Sequence, residues 1–182
     1  MKFDDLKKLA EGEDLRYFVD PNKPTLMMGF GGFNGHYQVV IPLELDGRFL
    51  QFRTISYHSC PEDHPHLEAV LRLLGTLDYR LRLVKFGWDP SDGEIVGYAD
   101  FWLEDGTLTQ KQFSENLHCF LSAIDLNNPR IGKTIETGTD PGELKPEDIL
   151  ASTSQLPPNV REALERMAGK KKDEEPEGPP EI

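Results

Sequence analysis

The chain has 182 residues, with 20 Lys+Arg against 32 Asp+Glu and a formal net charge of −12 at pH 7. A field of that sign repels phosphate, which argues against non-specific binding to nucleic acid or to anionic membranes. Cys60 and Cys119 are the two cysteines, no apolar run approaches a membrane span, and Met1–Leu6 lacks the apolar core of a signal peptide, so a cytoplasmic, reducing location is expected.

Phe3, Leu6, Leu9 and Ala10 recur at helical spacing and predict a first helix ending near Gly12. Residues 15–19 read as a short extended piece, and Thr25–Phe30 as a strand. The glycine-rich stretch 29–35 reads as a flexible connection to a strand over His36–Leu45, where Tyr37, Val39, Ile41, Leu43 and Leu45 alternate onto one face. Pro42 demotes that strand towards a sheet edge, because it has no N–H to give a neighbour. Asp46-Gly47 predicts a two-residue hairpin turn into a strand over residues 48–57. A second helix follows, capped by Asp63 or His64, with Leu67, Val70, Leu71, Leu74 and Leu77 as its apolar stripe. Strands over 80–88 and 94–103 are joined by the turn Asp89-Pro90-Ser91-Asp92-Gly93. Thr109 and Gln112 form a capping box for a third helix that presents Phe113, Leu117, Phe120, Leu121 and Ile124. The hairpin connections make this an α+β chain, an antiparallel sheet of about five strands with helices packed on one face.

Residues 1–131 read as the folded domain. Residues 132–157 read as a linker, 158–168 as a short helix and 169–182 as a disordered acidic tail. Leu144, Ile149, Leu150, Leu156, Val160, Leu164 and Met167 give the extension an apolar side that packs on its own domain or docks in trans.

The densest chemical cluster is His58-Ser59-Cys60-Pro61-Glu62-Asp63-His64-Pro65-His66, which offers thiolate and imidazole ligands of the kind Zn²⁺ takes. Its spacing matches no standard zinc site, and a solvated strand-to-helix corner is the plainer reading. Cys60 is a nucleophile only if a base and an oxyanion site converge on it. Cys119 reads as a small filler, buried or partly buried. The carboxylates Asp89/Asp92 and Glu104/Asp105 stand in turns, where their residue types belong. If Ile95, Ala99, Phe101 and Leu103 point inward, then Val96, Tyr98 and Trp102 stand on the far sheet face, and apolar groups there point to association. Phe30 and Phe33, on the glycine-rich loop, are candidate anchors for the same purpose.

Three strings, Arg82-Leu83-Val84-Lys85-Phe86-Gly87-Trp88-Asp89, Gly93-Glu94-Ile95-Val96-Gly97-Tyr98 and Leu103-Glu104-Asp105-Gly106-Thr107-Leu108-Thr109-Gln110-Lys111-Gln112-Phe113, resemble the strand pair and helix start of the YbjN-type bacterial family. The resemblance implies the fold of type III secretion chaperones, whose relatives cradle partner polypeptides, and it transfers no catalytic or binding residue. The expectation is a non-enzymatic, chaperone- or adaptor-like binding module without cofactor. Its partner is another protein or a segment of one, or a second copy in a homodimer. The partner-binding residues are Val96, Tyr98, Trp102, Phe30 and Phe33. The alternative is a small metal-binding protein or enzyme built on His58–His66.

Overall fold

In a computed structural model, the structure describes residues 1–104 and 106–143. The chain divides after Pro141. Met1–Pro141 is one unit, and of the second only Gly142 and Glu143 are described. The helix read over 158–168 and the tail over 169–182 lie outside the described residues.

The order is α1 (Phe3–Glu11), β1 (Phe18–Val19), β2 (Thr25–Gly31), β3 (His36–Glu44), a 3₁₀ turn (Leu45–Gly47), β4 (Phe49–Ile55), β5 (His58–Ser59), α2 (Leu67–Arg80), β6 (Lys85–Trp88), β7 (Glu94–Trp102) and α3 (Gln110–Thr137). All strand pairs are antiparallel. They run β1-β2-β3-β4-β7, with β5 prolonging the β4 side of β7 and β6 on its other side. The expected α+β architecture is the one found. Five strands have four or more residues, and β1 and β5 are two-residue additions.

The period-2 pattern places Leu26 and Met28 of β2, Tyr37, Val39, Ile41 and Leu43 of β3, Leu50 and Phe52 of β4, and Ile95 and Ala99 of β7 in one core. The helices supply the opposite wall: Leu6, Leu9 and Ala10 from α1, Val70, Leu73, Leu74 and Leu77 from α2, and Phe113, Leu117, Phe120, Ile124 and Ile131 from α3. Each large side chain so buried contributes roughly 1.5–3 kcal/mol before ordering entropy is subtracted. Gly97 lets α3 approach β7, since a Cβ there would lie 2.7 Å from Ile124 Cγ2.

The capping box is present as read: the Thr109 hydroxyl accepts from Gln112 N–H at 3.2 Å, and the Gln112 side chain accepts from Thr109 N–H at 3.0 Å. Several local expectations are corrected. β3 is not an edge strand, since it pairs with both β2 and β4. The Pro42 effect is instead local, and the β3–β4 register omits Ile41/Phe52 and Pro42/Gln51. Asp46 and Gly47 have the positive φ expected of them (55° and 85°), but Leu45 has it too (50°), so it leaves the apolar face and is half exposed. Helix α2 begins at Leu67 with His66 in the cap position and no side-chain cap. It runs to Arg80, where the sequence had suggested a strand. Leu71 faces out, and Leu73 takes its place in the core. Helix α3 continues past Ile131 to Thr137, through residues read as linker, and ends on Gly138 at φ 70°.

The glycine-rich connection is fastened rather than flexible. Pro129 lies within α3 and has no N–H for the carbonyl one turn back, that of Asp125. That carbonyl accepts from Asn34 Nδ2 at 3.0 Å instead. The Asp125 carboxylate accepts from the N–H groups of Phe33 (3.0 Å) and Asn34 (2.8 Å) and from the Tyr37 hydroxyl (2.7 Å). Asn128 Nδ2 donates to the Asn34 carbonyl at 3.0 Å. A Cβ on Gly32 would sit 2.2 Å from the Asp125 carboxylate, so this grip requires glycine. Asp125→Ala leaves three donors without their acceptor and is expected to lower unfolding free energy by about 2 kcal/mol, with Asp125→Asn losing less. Urea denaturation of the two variants checks both the size and the order.

Candidate functional site

All three helices contribute to one side of the sheet, so the side chains of opposite parity form a second face. The strand register aligns a row across it: Phe18, Met27, Val40, Arg53, Tyr98 and Lys85. A parallel row sets Phe49 opposite Trp102, with ring centroids 5.2 Å apart and planes at 61°. Phe18 is 77% exposed and Trp102 63%, unusual values for large apolar side chains on a sheet. Two depressions lie along this face. One of about 920 Å³ has Met27, Val40 and Pro42 among its lining residues, and one of about 420 Å³ has Trp88, Val96 and Tyr98. Gln51 and Arg53 line both.

Polar groups on this face are largely tied to one another. Arg53 pairs with Glu94 at 3.3 Å, and Glu94 also accepts from Ser56 N–H at 3.1 Å. Gln51 donates to Asp100 at 2.7 Å. The Lys85 ammonium bonds the carbonyls of Asp78 (2.5 Å) and Leu81 (2.7 Å) at the end of α2, a favourable place for a cation. Burial, followed by the nearby carboxylates of Asp78 and Asp100, holds the Tyr98 phenol above its usual pKa, so it stays neutral.

Of the expected contact residues, Tyr98 and Trp102 stand on this outer face. Val96 shares their parity but is 7% exposed and lies low in the smaller depression. Phe30 and Phe33 are not brought to them. Phe30 has core parity, pairs with Tyr37 and packs against the core, while Phe33 is 48% exposed on the fastened loop. The sequence reading missed Phe18, Met27, Val40 and Phe49. Their alignment was recoverable only from the register of four strand pairs.

The His58–His66 segment does not converge. His66 Nδ1 bonds the Ile135 carbonyl at 2.9 Å, and His64 Nδ1 accepts from the His66 N–H at 3.2 Å. His58 is half-buried against Tyr57, its Nε2 buried without a hydrogen-bond partner. Among the described residues, no group of three or more His, Cys, Asp or Glu is placed to hold a metal ion. Cys60 is fully buried, its N–H bonded to Gly93 and its carbonyl to the Trp88 indole, both at 2.8 Å. Burial pushes its thiol pKa up, the opposite of what a nucleophile needs. Cys119, expected as a filler, is exposed on α3. Asp89, in its turn, accepts from the Ser91 hydroxyl and N–H, which lower its pKa.

Residues 2–133 match the family YbjN, described as "Putative bacterial sensory transduction regulator", and the chain belongs to that family. A search of curated proteins finds no match. Among solved structures, the chain is similar to YbjN from E. coli, described as "a putative transcription regulator". The two share 19% identity over 71% of this chain and 93% of that one, with a TM-score of 0.52, a likeness of fold. Two further matches are more distant. The HopA1–SchA chaperone–effector complex has 12% identity over 67% of this chain and 90% of that one, with a TM-score of 0.48. The ExsC–ExsE complex has 16% identity, 71% and 95% coverage, and a TM-score of 0.47. Among the described residues, no helix is long and apolar enough to cross a membrane.

Two expectations follow from the buried groups. A thiol reagent such as DTNB should label one cysteine per native chain, Cys119, and a second only on unfolding; rapid native labelling of Cys60 would contradict its burial. Burial also lowers the His58 pKa below its ordinary 6.5. The unfolded chain therefore binds this proton more readily, and the stability involved is present above about pH 6.5 and lost as pH falls towards the folded-state value. Urea midpoints measured between pH 7.5 and 5 should fall less steeply in His58→Gln than in the parent.

Proposed function

We propose that this protein is a non-enzymatic binding module, chaperone- or adaptor-like and cytoplasmic, that holds a partner polypeptide against the outer face of its sheet. The observation that carries the reading is the cross-strand row, which no described helix covers, with Phe18, Met27 and Val40 continuing to Tyr98 and with Trp102 exposed beside it. A monomer with three helices committed to one side gains nothing by displaying these groups to water, whereas a partner that covers them removes that cost. Tyr98 and Trp102 act as the contact aromatics, with Val96 beneath them in the smaller depression. Phe33 forms a separate contact at the fastened loop, with the partly buried Phe30 of β2 backing it from the core side.

A polypeptide fits the face better than nucleic acid. Arg53 is paired with Glu94, Lys85 is engaged by helix carbonyls, and the net charge of −12 opposes phosphate. The non-enzymatic reading is supported by the inert burial of Cys60 and by the turn role of Asp89. A second copy of the chain is one polypeptide such a face can hold.

The test compares the parent with Trp102→Ala/Tyr98→Ala, both purified from host cytosol and sized by light scattering. The parent should retain a stoichiometric protein through salt washing, or should dimerise. The double variant, with its circular dichroism and melting temperature nearly unchanged, should bind about thirtyfold more weakly, the loss of about 2 kcal/mol typical of aromatic anchors. Equal retention by both forms would remove the face from the assignment. A parent that is monomeric and captures nothing would defeat the binding reading itself.

A further inference from the structure

The two edges of the sheet are finished differently. At the β6 edge, the Phe86 N–H is taken by the Asp78 carboxylate of α2 at 2.8 Å. At the other edge, β1 covers β2 for two residues only, pairing Phe18 with Met27 and Val19 with Leu26. Backbone alternation along β2 is fixed from both sides. Asp20 N–H donates to the Thr25 carbonyl on the outside, and Leu43 N–H donates to the Pro24 carbonyl on the β3 side. Odd-numbered residues of β2 therefore direct N–H and C=O away from β3. Met27 meets β1, and Gly29 and Gly31 meet no partner among the described residues. Natural sheets blunt such edges with Lys, Pro, a bulge or a covering segment. The stretch Met28-Gly29-Phe30-Gly31 contains neither Lys nor Pro and pairs with β3 in unbroken register.

We propose that Met28–Gly31 is a strand-addition site, where an extended segment of another polypeptide pairs with the β2 edge and lengthens the sheet. The geometry selects the occupant. Two outward residues separated by one inward residue present donors and acceptors at strand spacing, a pattern that an extended backbone matches and a helix does not. Glycine further defines the chemistry. A Cβ on Gly29 would meet nothing within 4 Å, so the outer face there has room for a large cross-strand side chain from the added strand. The preferred segment is proline-free over four residues, with an aromatic or bulky apolar residue opposite Gly29. Phe18 and Phe33, 77% and 48% exposed, stand beyond the two ends of the stretch.

This inference shares with the proposed function only the premise that the partner is a polypeptide, and it uses the sheet edge instead of the outer face. The experiment titrates the full-length ¹⁵N-labelled chain with blocked heptapeptides of alternating Thr and Val carrying Phe, Trp or Ala at the centre. The Gly29 and Gly31 amides should shift, their hydrogen exchange should slow by at least about tenfold, and the aromatic-centred peptides should bind more tightly than the Ala peptide. Gly29→Pro removes an N–H that no intramolecular bond uses, so it should keep the fold and abolish the Gly31 response. Phe30→Pro, by contrast, strikes the β2–β3 ladder and should destabilise the protein. Trp102→Ala/Tyr98→Ala should leave the edge response intact, so failure at the face and failure at the edge are read separately. Shifts confined to other residues, or an undiminished response in Gly29→Pro, would overturn the proposal. So would glycine amides already protected before peptide is added: with doubled mass the edge belongs to a second copy, with single mass to the chain's own residues.

Discussion

Helix α3 cannot satisfy the carbonyl of Asp125 from within, because Pro129 has no N–H, and the rest of the unit is arranged around that interruption. The freed carbonyl binds Asn34, the same residue's carboxylate gathers Phe33, Asn34 and Tyr37, and the Tyr57 hydroxyl reaches the adjacent Ile124 carbonyl at 2.5 Å. A residue that would ordinarily break a helix is accommodated here, since the carbonyl it leaves unpaired is matched by Asn34 of the β2–β3 loop. Towards its N-terminus, α3 holds the first helix through Gln110 to the Leu9 carbonyl at 3.0 Å and Ser114 to Glu13 at 2.9 Å. Towards its C-terminus, Arg130 grips Asp140 with two bonds of 2.7 Å, and Ile135 holds His66 at the start of α2. α3 is thereby fixed to α1, to α2 and to the β2–β3 loop.

Committing all three helices to one side has a direct consequence for the other. The second face keeps the alternation of a sheet, so its residues are sorted by parity into rows, and the apolar ones adjoin across strands that are distant in sequence. The polar groups among them mostly neutralise each other, as in Arg53 with Glu94 and Gln51 with Asp100. A surface of that kind, low in uncompensated charge and carrying exposed aromatics, suits association with another chain. The residue types that invite a catalytic reading are absorbed elsewhere. His66 is an acceptor's partner at a helix junction, Cys60 is sealed under Trp88, and Asp89 closes a turn.

Legibility from sequence followed the range of the interactions. The Thr109/Gln112 capping box, the positive φ at Asp46 and Gly47 and the alternation of Tyr37, Val39, Ile41 and Leu43 depend on neighbours within a few residues, and all were readable. Pro42 was misread because its lack of an N–H says which bond is missing and not how many neighbours the strand has. Leu71 and Leu73 were exchanged because both fit a helical stripe, and the packing of α2 against β6 and α3 decides between them. The loop at 29–35 read as flexible because glycine permits many conformations, while the groups that select one, Asp125 and Asn128, are about ninety residues away in sequence.

The sequence by itself determined the order and type of the elements, the α+β class and the resemblance on which the family assignment rests, because periodicity, caps and turns are local properties of the chain. Only the tertiary structure decided which strands are neighbours, which side chains stand in one row on the outer face, and that the outward backbone groups of Gly29 and Gly31 meet no partner among the described residues. Those facts depend on strand register, which is set by hydrogen bonds between residues far apart in the chain.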